Sequence, residues 1–159
     1  MKVYVASSWR NTSQPDVVAM LRQAGHEVYD FRNPVPNHAF HWSEIDPDWQ
    51  HWSPATFREA LEHPAARAGY ACDMEALELA DAVVLVLPCG RSAHLELGFA
   101  VGWGKHTAIL LADSEPELMY LMADCLAISI EEVIDWLARC RDGGYPGAGT
   151  GRGGQRCPK

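Results

Sequence analysis

Apolar residues along this chain recur in two different periods. Five short runs rich in β-branched, aliphatic and aromatic residues read as strands: Lys2 to Ala6, His26 to Phe31, Ala82 to Leu87, Thr107 to Ala112 and Asp124 to Ile128. The run from Ala82 to Leu87 carries no charge, as expected of a strand buried on both faces of a parallel sheet. Between these runs the apolar spacing turns helical. Ser13-Gln14-Pro15 opens a helix carrying Val17, Val18, Leu21 and Ala24, which Gly25 closes. Ser53-Pro54 opens a short helix to Glu62, Ala65 to Ala80 forms the next, and Ser92 is placed to cap a helix from Ala93 to Trp103. Pro116 to Met122 reads as a short helix or turn. Ser129 with Glu132 forms a capping box for a last helix to Arg141.

Strands alternating with helices predict a single doubly wound, flavodoxin- or Rossmann-like α/β domain over residues 1–141. The five parallel strands suit the order 2-1-3-4-5, with right-handed crossovers. From Asp142 onward Gly and Pro dominate, which predicts a disordered tail over residues 142–159. In the predicted order, connections diverge between the first strand and the one at Ala82. The crevice at that switch point is lined by Ser7, Ser8 and Arg10 on one side and by Gly90 to Glu96 on the other.

Glu96 is the only carboxylate between Asp81 and Asp113. Near the start of a helix it gains roughly 0.3 to 1 kcal/mol from the macrodipole, favouring the ionised form. On its own it is either a helix-stabilising acid or a nucleophile. Asp73 shares a helix face with Leu77 and Ala80, so it needs a partner in a largely apolar setting. Arg32 to Ser53 holds three prolines, three tryptophans (Trp42, Trp49, Trp52) and three histidines (His38, His41, His51), together with Glu44, Asp46 and Asp48. A connection of about twenty residues is long for a compact domain; it either closes as a lid or folds into its own aromatic cluster. No ligand spacing in it supports a metal site.

The run from Asp73 through Leu95-Glu96-Leu97-Gly98 to Gly104-Lys105, with VYVASSWR at the first strand, resembles the nucleoside 2-deoxyribosyltransferase family and the related deoxynucleotide N-hydrolases. The resemblance extends over Lys2 to Arg139. It implies that Glu96 attacks the anomeric carbon of a nucleoside or nucleotide, that Tyr4 lies against Glu96 and holds it, and that Asp73 positions the substrate. It also implies a homodimer or higher homo-oligomer and no cofactor. One position departs: six residues before the glutamate the deoxyribosyltransferases carry an aspartate that reads the base, where this chain has Gly90. Gly90, Arg91 and Ser92 at a helix start instead offer backbone N–H groups, a guanidinium and a hydroxyl, which suit a 5′-phosphate. Trp42 and Trp49 are the candidate base-stacking residues. Gly98 and Gly102 lie one helical turn apart, where close approach to the sheet or to a partner subunit is possible.

Composition narrows the partners. A formal charge of -8 argues against binding a nucleic-acid polymer, leaving small phosphates open. Five cysteines, odd in number and without a CxxC pair, fit a reducing cytoplasm better than a disulfide framework or a zinc site. No apolar run approaches the roughly 20 residues a membrane helix needs, and Met1-Lys2 leads into a strand without a signal peptide's apolar core. Three functions stay open: cleavage or transfer at an N-glycosidic bond, NAD cleavage of the TIR type, and nucleotide binding without turnover.

Overall fold

The computed structural model describes residues 1–35, 39–113 and 115–143. Its elements run β1 (Lys2–Ala6), α1 (Gln14–Gln23), β2 (Glu27–Asp30), α2 (Pro54–Ala60), α3 (Pro64–Leu79), β3 (Ala82–Val86), α4 (Arg91–Gly102), β4 (His106–Leu110), β5 (Cys125–Ala127) and α5 (Ile130–Arg141). Single 3-10 turns occupy Trp42–Glu44, Trp49–His51 and Leu118–Met122. The sheet order is β2-β1-β3-β4-β5 and every pairing is parallel, as the alternation of elements predicts.

The pleat divides the core in two. Val3, Val5, Val84 and Val86 point to the side covered by α1 and α5, where they meet Leu21, Trp136 and Leu137. Tyr4, Val83, Leu85 and Ile109 point to the other side and meet Leu77 of α3 and Leu97 of α4. This is why β3 is apolar throughout: both of its faces are covered.

Several local expectations are corrected. Ser92 is not the cap of α4; the helix begins at Arg91, with Gly90 as N-cap and no capping side chain. Ser13 is the N-cap residue of α1, as expected of the residue that opens it; its side chain makes no cap bond, and Asn11 Oδ1 accepts from both the Ser13 and Gln14 amides. At α5, Ser129 accepts from the Glu132 amide as expected, but the Glu132 carboxylate reaches back to Ile128 N rather than to the cap residue. Gly25 closes α1 with φ 84, a left-handed conformation that glycine adopts without cost. The predicted tail beyond Gly143, and His38, lie outside the described residues. Among the described residues no helix is long and apolar enough to cross a membrane.

Candidate active site

A cavity of about 620 Å³ opens at the carboxyl ends of β1 and β3. The loop after β1 supplies Ser7, Ser8, Trp9 and Arg10; α3 supplies Gly69, Cys72 and Asp73; the start of α4 supplies Gly90, Arg91, Ser92 and Glu96. Trp42 and Trp49 line it from the long connection. Tyr4 is fully buried beneath it. The residues singled out in the sequence therefore surround one space.

Glu96 is partly buried at its floor. Burial pushes its carboxyl up to about 7, the like charge of Asp73 adds to this, and the Tyr4 hydroxyl acts against it. The expected ionising influence of the helix start does not prevail. Because α4 begins at Arg91, Glu96 lies past the first turn, where the macrodipole has faded. The Tyr4 hydroxyl is buried without a full hydrogen bond; burial, then the charge of Glu96, raises its pKa. Asp73 does have a partner: the Tyr29 hydroxyl donates to its Oδ1 at 2.7 Å and lies 3.3 Å from Cys72 Sγ. Burial raises the Asp73 pKa, and the Tyr29 bond opposes that rise.

The loop after β1 is shaped by long-range contacts. Arg32 Nη2 donates to the carbonyls of Ser8, Trp9 and Asn11 at 2.8, 3.0 and 2.7 Å, while its guanidinium lies over the Trp9 and Phe31 rings. Asn11 Nδ2 donates to the carbonyls of Val86 and Pro88, and the Ser7 hydroxyl donates to Val86, binding this loop to the end of β3. Across the cavity, His94 Nδ1 pairs with the Gly90 carbonyl and its Nε2 with the Tyr120 hydroxyl, fixing the loop before α4. Among the described residues the side chains of Arg10 and Arg91 make no hydrogen bond or ion pair. Two guanidinium groups thus face one cavity of an acidic protein.

The long connection is both an aromatic cluster and a wall. Trp42 meets Phe40, Trp52 and Phe57 edge to face, with ring centroids 4.9 to 5.7 Å apart. Trp9 packs on Phe31 and His41 at 5.3 and 4.3 Å. Among the described residues no group of His, Cys, Asp and Glu is arranged to hold a metal ion.

The chain matches no protein-family model and no curated protein. Among solved structures it is similar to a 2-deoxyribosyltransferase of Bacillus psychrosaccharolyticus, at 20% identity over 85% of this chain and 91% of that one, TM-score 0.60. It shares that protein's fold. A conserved protein of Enterococcus faecalis V583 is similar at 15% identity over 88% and 98%, TM-score 0.54. The CMP N-glycosidase BcmB of Clostridium botulinum aligns at 17% identity over 87% and 99%, TM-score 0.48.

Sequence reasoning did not single out Tyr29, Trp9, Cys72 or Arg32. For Tyr29 a signal existed. The first two strands both contain Val-Tyr, and pairing in parallel register sets Tyr4 beside Tyr29, rings stacked at 5.1 Å. Arg32 left no such trace, since its three acceptors are backbone carbonyls. Gly98 and Gly102 face open space, so close approach to the sheet is not their role.

Proposed function

We propose that this protein cleaves or transfers at the N-glycosidic bond of a nucleoside or nucleoside 5′-monophosphate, with Glu96 as nucleophile. The observation that carries this reading is Glu96 itself: a poorly solvated carboxylate with a pKa of about 7, facing an open cavity at the sheet's switch point. Such a group is ionised in useful amounts at neutral pH yet more nucleophilic than a solvated one. Fold alone does not assign an activity, but the likeness to a 2-deoxyribosyltransferase supports the same chemistry.

In the proposed step a Glu96 oxygen bonds to the anomeric carbon as the carbon–nitrogen bond breaks. The base leaves with that electron pair and is protonated. Water or a second base then attacks the same carbon and releases Glu96. Tyr4 steadies Glu96, and Asp73 accepts a hydrogen bond from the substrate. Ser7 and Ser8 face the sugar, while Trp42 and Trp49 offer faces to the base. Arg10, Arg91, Ser92 and the uncapped first amides of α4 are suited to a 5′-phosphate. That group of donors favours the monophosphate.

A homo-oligomer belongs to the same reading. Leu95 on α4 and Trp103 just after it are exposed at 75% and 59%, beside two glycines that face open space. Light scattering on the eluting protein decides its mass in solution.

The deciding experiment is a chromatographic screen of nucleosides, deoxynucleoside monophosphates and NAD for released base. Free base from at least one nucleoside or monophosphate, lost in Glu96→Ala, is the expected result. Nicotinamide from NAD alone, or release that survives Glu96→Ala, would overturn it.

A further inference from the structure

We propose that Tyr29 is a positioning residue: its hydroxyl holds Asp73 while its ring carries Tyr4, so one side chain of the edge strand sets both groups that flank Glu96. This rests on the reading of Glu96 as nucleophile.

The geometry has three independent parts. Parallel register places Tyr29 directly opposite Tyr4, and the pleat sends both to the α3 and α4 side of the sheet. Their rings stack at 5.1 Å with 19° between planes, so Tyr4 is backed by an aromatic face rather than by a pliable aliphatic chain. The Tyr29 hydroxyl then donates to Asp73 Oδ1 at 2.7 Å, a charge-assisted length, with Cys72 Sγ at 3.3 Å on the same side. Holding Oδ1 fixes the carboxylate's rotation and leaves Oδ2 for a substrate hydroxyl or N–H.

The groups that face Asp73 from the packed elements are Tyr4 of β1, Tyr29 of β2, Glu96 of α4 and its own neighbour Cys72. Tyr29 is the one that donates to it. Without that bond a polar group among largely buried neighbours loses its orientation as well as its partner. Tyr29 itself is no catalytic residue here, since it acts through Asp73 and Tyr4.

Tyr29→Phe keeps the stacked ring and removes only the donor. Its kcat for base release is expected to fall roughly 10- to 100-fold, with KM changed by less than about threefold. Carboxyl NMR on aspartate-labelled protein is expected to show Asp73 titrating higher than in the wild type, because the bond that lowered it is gone. Tyr29→Leu, which also removes the stack under Tyr4, is expected to lose a further factor in kcat. An unchanged Asp73 titration, or Tyr29→Phe with wild-type kcat, overturns the assignment. If the wild-type protein releases no base from any substrate, the proposed function fails, and the Asp73 titration alone decides whether Tyr29 holds it.

Discussion

Gly69 lies so close to Phe40 that a β-carbon built on it would stand 2.7 Å from Phe40 Cβ. The clash is with the root of the Phe40 side chain, which cannot swing away without moving its backbone. Gly69→Ala therefore sets two effects against each other. A helix gains roughly 0.8 to 1 kcal/mol from Ala over Gly, whereas forcing a packed contact apart costs about 1 to 3 kcal/mol. Net destabilisation of about 1 kcal/mol is expected, with weaker ligand binding because Phe40 packs on Trp42 in the cavity wall. Thermal unfolding checks it: a variant at least as stable as wild type, binding equally well, would show that the connection does not depend on this contact.

Glu96 should weaken the fold at high pH. Its folded pKa of about 7 lies above its ordinary 4.5, so the folded state holds a proton that the unfolded state has lost between those values. Stability attributable to this group falls as pH rises from about 4.5 to 7, by at most about 3 kcal/mol. Glu96→Gln, neutral throughout, is expected to be more stable than wild type at pH 8. The difference should vanish near pH 4. Parallel stability curves for the two proteins would contradict the burial described for this carboxyl.

The same ionisation governs activity with the opposite sense. A nucleophilic carboxylate must be deprotonated, so kcat/KM for base release is expected to drop about tenfold per pH unit below a limb near 7. A limb near the ordinary carboxylate range instead would mean that the free protein does not hold Glu96 protonated at neutral pH.

Arg91 tests the anion. Arg91→Ala is expected to raise KM for a 5′-monophosphate by roughly 10- to 100-fold, as a charge-assisted bond to phosphate is worth about 1.5 to 3 kcal/mol. The matching nucleoside should be almost unaffected. Since Arg91 has no side-chain partner among the described residues, little stability is at stake, and equal effects on both substrates would remove phosphate from the reading.

The sheet was legible because its signals are local and redundant. Ala82 to Val86 is apolar on both faces, and the Gly-, Ser- and Pro-marked turns around it leave few other topologies. Glu96 stood out as an isolated acid after that strand. Ser92 misled because a helix can begin on backbone alone: Gly90 caps α4 without a side chain, two residues before the hydroxyl that sequence favours. The raised pKa of Glu96 was not legible either, as it arises from burial and from Asp73 on another helix. Asn11 and Arg32 were invisible for a related reason, since they act on carbonyls distant in the chain and carbonyls have no residue type.

β2 is only Glu27–Asp30, and its single strand neighbour is β1. Yet Tyr29 lies within it and Arg32 two residues beyond, so a short edge strand of the sheet supports opposite walls of the cavity. Edge segments of this kind open far more often than the whole protein unfolds. Each such opening would free Asp73 and the Ser8 to Asn11 carbonyls together while β3 and β4 stayed paired. The lifetime of the assembled cavity is then set by the local opening of four edge residues, which their amide exchange reports, and not by the stability of the fold.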